Sequence, residues 1–167
     1  MARSGTLGEL RALPIDGPPD LLRLHERDSA RYPVLLESTA VGTSQGRYDI
    51  LLAAPASSLT LAADGRLEGE AACGASFIDS LDAWWQRDRV ATPTPGLPFL
   101  GGWFLYLGYE LAGEVEPRLR LPRGVNPVAY ALRCRAAALF DHLTGCGWLV
   151  AESGSEWALD ELQQAIR

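Results

Sequence analysis

The chain has 167 residues, the size of one ordinary domain, and at 47% hydrophobic and 22% charged it can bury a sizeable core. A formal net charge of −6 and a pI near 4.9 argue against nucleic-acid or anionic-membrane binding. The 15 Lys-or-Arg positions are all Arg, which excludes a Walker A loop, a Schiff-base lysine and a lysine nucleophile.

Glu9–Ile15 alternates apolar and polar residues and predicts a first strand. Asp16, Gly17, Pro18 and Pro19 form a turn that places proline in the first turn of a helix over Pro19–Ala30, with Leu21, Leu24 and Asp28 on successive turns. Tyr32-Pro33 ends it. Pro33–Thr39 and Arg47–Ala54 follow as short strands, with the small-residue loop Ala40–Gly46 between them. Ser58–Ala63 and Arg66–Ala71 flank Asp64-Gly65, which predicts a hairpin with a type I′ turn.

Ser76–Arg89 is the clearest helix. Ser76 and Asp79 have capping-box spacing, with Asp in place of Glu or Gln, and Phe77, Leu81, Trp84 and Trp85 share one apolar face. A Pro/Gly-rich loop, Thr92–Pro98, leads into the Gly101-Gly102-Trp103 strand. That stretch, Pro98–Tyr109, is apolar but too short to cross a bilayer. Val128–Phe140 reads as a long strand with Tyr130, Leu132, Cys134, Ala136, Ala138 and Phe140 on one face. Asp141–Gly145 turns it back into Cys146–Ala151. A last helix starts near Ser153 or Ser155, with Leu159, Leu162 and Ile166 on one face. The pattern predicts α+β architecture with mainly antiparallel, hairpin-connected strands and flanking helices.

Three cysteines without CxxC spacing fit a reduced, cytoplasmic protein, and the first residues carry no apolar signal-peptide core. Cys134, His142 and Cys146 lack the paired spacing of a zinc site and read as small hydrophobes and a turn residue; no metal site is expected. His25 reads as a solvated surface histidine and His142 as part of a turn shaped by Asp141. The residues show no catalytic constellation. They do allow a small-molecule pocket: Glu37, Ser38 and Arg47 could hold both ends of a zwitterion, with Leu36 and Tyr48 as apolar walls. An ordinary edge-strand ion pair between Glu37 and Arg47 is the simpler account of the same residues.

Three segments, taken together and in order, resemble a known family. They are Leu35-Leu36-Glu37-Ser38, then Arg47-Tyr48-Asp49-Ile50, then Pro98-Phe99-Leu100-Gly101-Gly102-Trp103-Phe104-Leu105-Tyr106-Leu107-Gly108-Tyr109-Glu110. The chain is similar to the N-terminal region of component I of anthranilate synthase and aminodeoxychorismate synthase. It departs at Phe104-Leu105, where many members carry small residues; Phe140-Asp141-His142 matches a further family segment. The resemblance implies a four-layer α/β/β/α fold with orthogonally packed sheets, of which residues 1–167 form the N-terminal domain. The C-terminal chorismate-binding domain, where Mg²⁺ is expected, lies outside this chain. It implies no cofactor in this chain itself. A glutamine amidotransferase subunit is the implied partner, with no nucleic acid and no membrane. The folate branch, leading to 4-aminobenzoate, is favoured. The alternatives are the regulatory domain of the tryptophan-branch enzyme, or a free-standing amino-acid-binding or interaction module. Leu-Leu-Glu-Ser is the family's tryptophan-site motif, so the implied L-tryptophan site is Leu36, Glu37, Ser38, Gly46, Arg47 and Tyr48. The family's division also implies an apolar exposed face, at Leu105, Leu107 and the Val128–Phe140 strand.

Overall fold

Strand β3 (Tyr48–Leu61) and strand β7 (Ala129–Asp141) are the two longest elements of the chain. The computed structural model describes residues 5–13, 17–40, 46–91, 96–122 and 124–167. The architecture is α+β, with mainly antiparallel strands and flanking helices, as the periodicities predict. Contacts divide the chain into two units.

One unit comprises Gly5–Pro55, Val90–Gly102 and Cys134–Arg167. Its strands are β1 (Gly5–Leu13), β2 (Val34–Leu36), the first part of β3, β5 (Val90–Ala91), the second part of β7, and β8 (Cys146–Glu152). They lie in the order β2-β3-β7-β8-β1-β5. β2 pairs with β3, β7 with β8 and β8 with β1, all antiparallel, while β1 and β5 pair in parallel. Helices α1 (Leu21–Arg27) and α4 (Trp157–Ile166) bury Leu21, Leu24, Leu159 and Leu162 in a core with Leu51, Leu149 and the alanines 53, 136, 138, 151 and 158. The alanines leave room for the leucines to reach the sheet.

Helix α1 is shorter than its apolar pattern predicts. Asp20 caps it by accepting from the Arg23 N–H at 3.0 Å. It stops at Asp28 because that carboxylate captures the Arg31 N–H at 3.0 Å, offering the backbone a turn in place of another helical residue. His25 is not the solvated histidine expected. It is half-buried, and its Nδ1 donates to the Tyr32 carbonyl at 2.7 Å.

The other unit includes Ala56–Arg89 and Trp103–Arg133. It holds the end of β3, β4 (Leu67–Glu68), α2 (Phe77–Asp88), β6 (Gly102–Leu107) from Trp103 onward, the short helix α3 (Ala112–Val115) and the start of β7. Leu59, Leu61, Phe77, Trp84, Leu111, Ala129 and Ala131 form its core. Trp84 and Trp103 meet edge to face, with ring centroids 5.7 Å apart.

The expected hairpin is present: Thr60 pairs with Glu68 and Leu61 with Leu67. Its turn is not type I′. Gly65 has φ 86° while Asp64 stays out of the positive-φ region, and the Gly65 N–H donates to the Ala62 carbonyl at 2.9 Å. This is a three-residue connection with glycine in the left-handed position. Asp64 turns back onto Arg66, accepting from its backbone N–H and its Nε.

Two further expectations are corrected. Arg47–Ala54 and Ser58–Ala63 are not separate strands, since β3 runs unbroken past Pro55. Ala54, at φ 51° and directly before a proline, takes the bend there. The Val128–Phe140 segment does not present an apolar face to solvent. Within β7 Arg135 alone is exposed, and Ala136–Asp141 are buried on both faces. Leu105 and Leu107 on β6 are exposed as expected, at 43% and 54%. The loop residues 41–45 and 92–95, and 14–16 at the end of the predicted first strand, lie outside the described residues. No helix among the described residues is long and apolar enough to cross a membrane.

The N-terminus of α2 is held from two sides. Ser76 Oγ accepts from the Asp79 N–H at 3.0 Å, the predicted cap. Glu114 on α3 accepts from the Phe77 and Ile78 N–H groups at 3.0 and 3.1 Å. A carboxylate there also complements the helix dipole. Glu114→Ala should lower unfolding free energy by about 1–2 kcal/mol, read as a shift of the urea midpoint at constant slope. A wild-type midpoint would mean that water caps the turn equally well.

Candidate functional site

Two segments that are separate in the sequence meet on one sheet edge. β2 and β3 run antiparallel with Leu36 opposite Ile50 and Leu35 opposite Leu51. That register carries Glu37 and Ser38 back alongside Tyr48 and Asp49. The Ser38 N–H donates to Asp49 Oδ1 at 2.8 Å, and Ser38 Oγ donates to the Tyr48 carbonyl at 2.6 Å. Gly46 is buried against Ala40, and a Cβ there would run into the Ala40 carbonyl. Only glycine lets the two ends of the loop come together at this point.

The hairpin between β7 and β8 supplies the rest. Asp141 is fully buried and accepts from Arg47 Nε and Nη2 at 3.0 and 2.8 Å, a bidentate pair. It also accepts from the Leu143 N–H at 2.9 Å. The Arg47 hydrogen bonds, against the opposing effect of burial, hold the Asp141 carboxyl down to about 2; the Leu143 N–H and the Thr144 side chain add to them. Next along the turn, the His142 N–H donates to the Arg47 carbonyl at 2.8 Å, and His142 Nε2 donates to Asp49 Oδ2 at 2.7 Å. The His142 ring packs edge-on to Phe140, with centroids 5.1 Å apart.

The six residues of the expected tryptophan-type site therefore sit in three environments. Ser38, Gly46 and Tyr48 are tied into the sheet edge, with the Tyr48 hydroxyl donating to the Gly96 carbonyl at 3.3 Å. Leu36 and Glu37 are exposed. Arg47 is 40% exposed, and its guanidinium lies 4.8 Å from the centroid of the Tyr48 ring. The simple ion pair between Glu37 and Arg47 is not formed, because Arg47 spends Nε and Nη2 on a buried carboxylate 94 residues away. Its Nη1 faces no described partner.

Sequence reasoning missed Asp49, Asp141 and His142 as members of this cluster. Asp141 and His142 were read as turn residues, which they also are. Their second role depends on β7 placing the turn beside the start of β3, and no local spacing encodes that. Asp49 did have a signal, since strand alternation puts it on the face opposite Tyr48.

Chemically, the edge offers the Arg47 guanidinium beside the Tyr48 ring, with Nη1 unmet by any described residue, and the exposed side chains of Leu36 and Glu37 on the neighbouring strand. These are the elements for holding a small zwitterion with an apolar side chain. Among the described residues no group of three or more His, Cys, Asp or Glu side chains is placed to hold a metal ion. Cys134 is buried while Cys146 is exposed, so the two do not converge with His142. Compared with protein-family models and with curated proteins, the chain matches none.

Asp141→Asn should cost about 1–2 kcal/mol at neutral pH, because the amide replaces a charge-assisted acceptor with a neutral one. The sign of its pH dependence follows from the depressed pKa. The wild-type contribution is complete above the ordinary 3.8 and is lost as pH falls through about 2. The stability gap between wild type and variant, measured by denaturant titration, should close across that window. A gap that stays constant to the acid end would show that another carboxylate carries the effect.

Proposed function

We propose that this chain is the non-catalytic N-terminal domain of a chorismate-aminating synthase, with an amino-acid pocket of the tryptophan type built from Leu36, Glu37, Ser38, Gly46, Arg47 and Tyr48. The observation that supports the reading best is the β2–β3 register. It brings the Leu-Leu-Glu-Ser and Arg-Tyr-Asp-Ile segments onto one sheet edge, with Ser38 bonded to both Tyr48 and Asp49. In this reading the ligand carboxylate meets Arg47 at Nη1. Its ammonium meets Glu37 or backbone carbonyls, and its indole lies against Leu36 and Tyr48. Asp141 serves the site indirectly by fixing the guanidinium in the plane that leaves Nη1 to the ligand.

The folate branch, aminodeoxychorismate synthase, is the assignment favoured by the Tyr106-Leu107-Gly108-Tyr109-Glu110 wording. The proposal extends to a cytoplasmic enzyme in which a chorismate-binding domain holds Mg²⁺ and completes the four-layer fold, and a glutamine amidotransferase subunit supplies ammonia. No residue of this chain is assigned to that ion.

Titration calorimetry with L-tryptophan tests the pocket. Each charge-assisted hydrogen bond contributes roughly 1.5–3 kcal/mol, so Glu37→Ala should weaken binding about tenfold to a hundredfold. No heat and no thermal shift at millimolar ligand would sink the site assignment. The absence of a catalytic role is tested separately. Incubated with chorismate, Mg²⁺ and ammonium, the 167-residue chain should form no aminated product above a protein-free control. Turnover that co-purifies with the chain would overturn the assignment.

A further inference from the structure

Helix α2 carries a second stripe besides the one it buries. Phe77 and Trp84 face the core of their unit. Ile78, Asp82, Trp85 and Arg89 follow one another at steps of four, three and four residues, the spacing of a helix–helix seam. Ile78 and Trp85 are 39% and 42% exposed, large for apolar side chains on one helix. With Leu81, Trp103 and Leu105 they line a groove of about 280 Å³. The groove is apolar except for Asp82.

The charges on the stripe are placed with the same regularity. Asp82 lies three residues before Trp85, and Arg89 lies four residues after it, its guanidinium 4.7 Å from the centroid of the Trp85 ring. Neither Asp82 nor Arg89 has an ion-pair partner among the described residues, and the same holds for Asp79 one turn earlier. Arg87, by contrast, is paired with Asp88 at 2.9 Å.

We infer that this stripe is an isologous contact between two copies of the chain. The two α2 helices run antiparallel and cross between Trp85 and Gln86. A twofold axis midway between Trp85 and Gln86 sets Asp82 of each copy against Arg89 of the other, with the two indoles on either side of the axis. An isologous interface must be self-complementary, and a stripe with an acid on one side of an aromatic anchor and a base on the other has that property. A parallel arrangement would set Asp82 against Asp82 and Arg89 against Arg89, and is disfavoured by like-charge contact. The inference is independent of the amino-acid pocket, which lies on other elements.

Sedimentation equilibrium of the purified chain over two decades of concentration tests it. The mass should rise from 18.1 kDa toward twice that value. Asp82→Arg and Arg89→Asp each remove two pairs per dimer and introduce like charges, so each should weaken dimerisation by roughly tenfold. The double exchange, Asp82→Arg with Arg89→Asp, should restore it to within about threefold of wild type. All three changes are at exposed side chains, and near-UV circular dichroism confirms the fold of each. A single 18.1 kDa species at the highest concentration would overturn the inference. So would a dimer that the single exchanges leave unmoved, or one that the double exchange does not recover.

Discussion

The geometry of the sheet edge around Ser38 depends on one buried carboxylate. Asp141 would be strongly disfavoured in its position without partners, since burial raises the free energy of the charged form. Its partners are a bidentate guanidinium, a backbone N–H of its own turn and the Thr144 side chain. The requirement to satisfy Asp141 fixes Arg47 at the mouth of β3, and the Arg47 carbonyl in turn receives the His142 N–H. From there the chain of bonds continues through Asp49 to Ser38. Each member holds the next, so the edge is a connected network rather than a set of independent surface contacts.

Local chemistry was legible in the sequence. The Ser76 cap, the Asp64-Gly65 hairpin, the turn after Phe140 and the final helix all follow from signals confined to a few residues. The partner of Arg47 was not legible. Glu37 is near in sequence and Asp141 is distant, and the choice between them is made by strand order, which local spacing does not carry. The double burial of β7 was hidden for a related reason. Its alanines are small on both faces, so the period-two contrast that usually marks one face as solvated is weak. The length of β3 was hidden by Pro55, a residue that ordinarily argues for a break.

The two units use different packing chemistry. One core pairs leucines of two helices with alanines of a sheet, and its specificity comes from how closely helix and strand approach. The other centres on aromatic rings, with Trp84, Phe77 and Trp103 in mutual reach and the buried Arg133 guanidinium 4.3 Å from the Trp103 ring centroid. Placing a guanidinium on an indole face lets a charged side chain enter an apolar interior at reduced cost. The same unit leaves a further tryptophan, Trp85, at its surface, and an aromatic side chain in that setting is more readily understood as a contact than as a solvated group.

The three cysteine thiols, none in a disulfide among the described residues, are distributed so that the chain carries its own clock. Cys73 and Cys146 are exposed, whereas Cys134 is fully buried in β7. A thiol reagent can modify two of them in the native state and must wait for the strand to open before reaching the third. The lag of that last modification measures how often β7 leaves the sheet, and when closing outpaces labelling it reports an opening equilibrium rather than a rate. A strand buried on both faces belongs to the most slowly opening part of a protein. Cys134 therefore makes the stability of the sheet interior visible without any engineered probe.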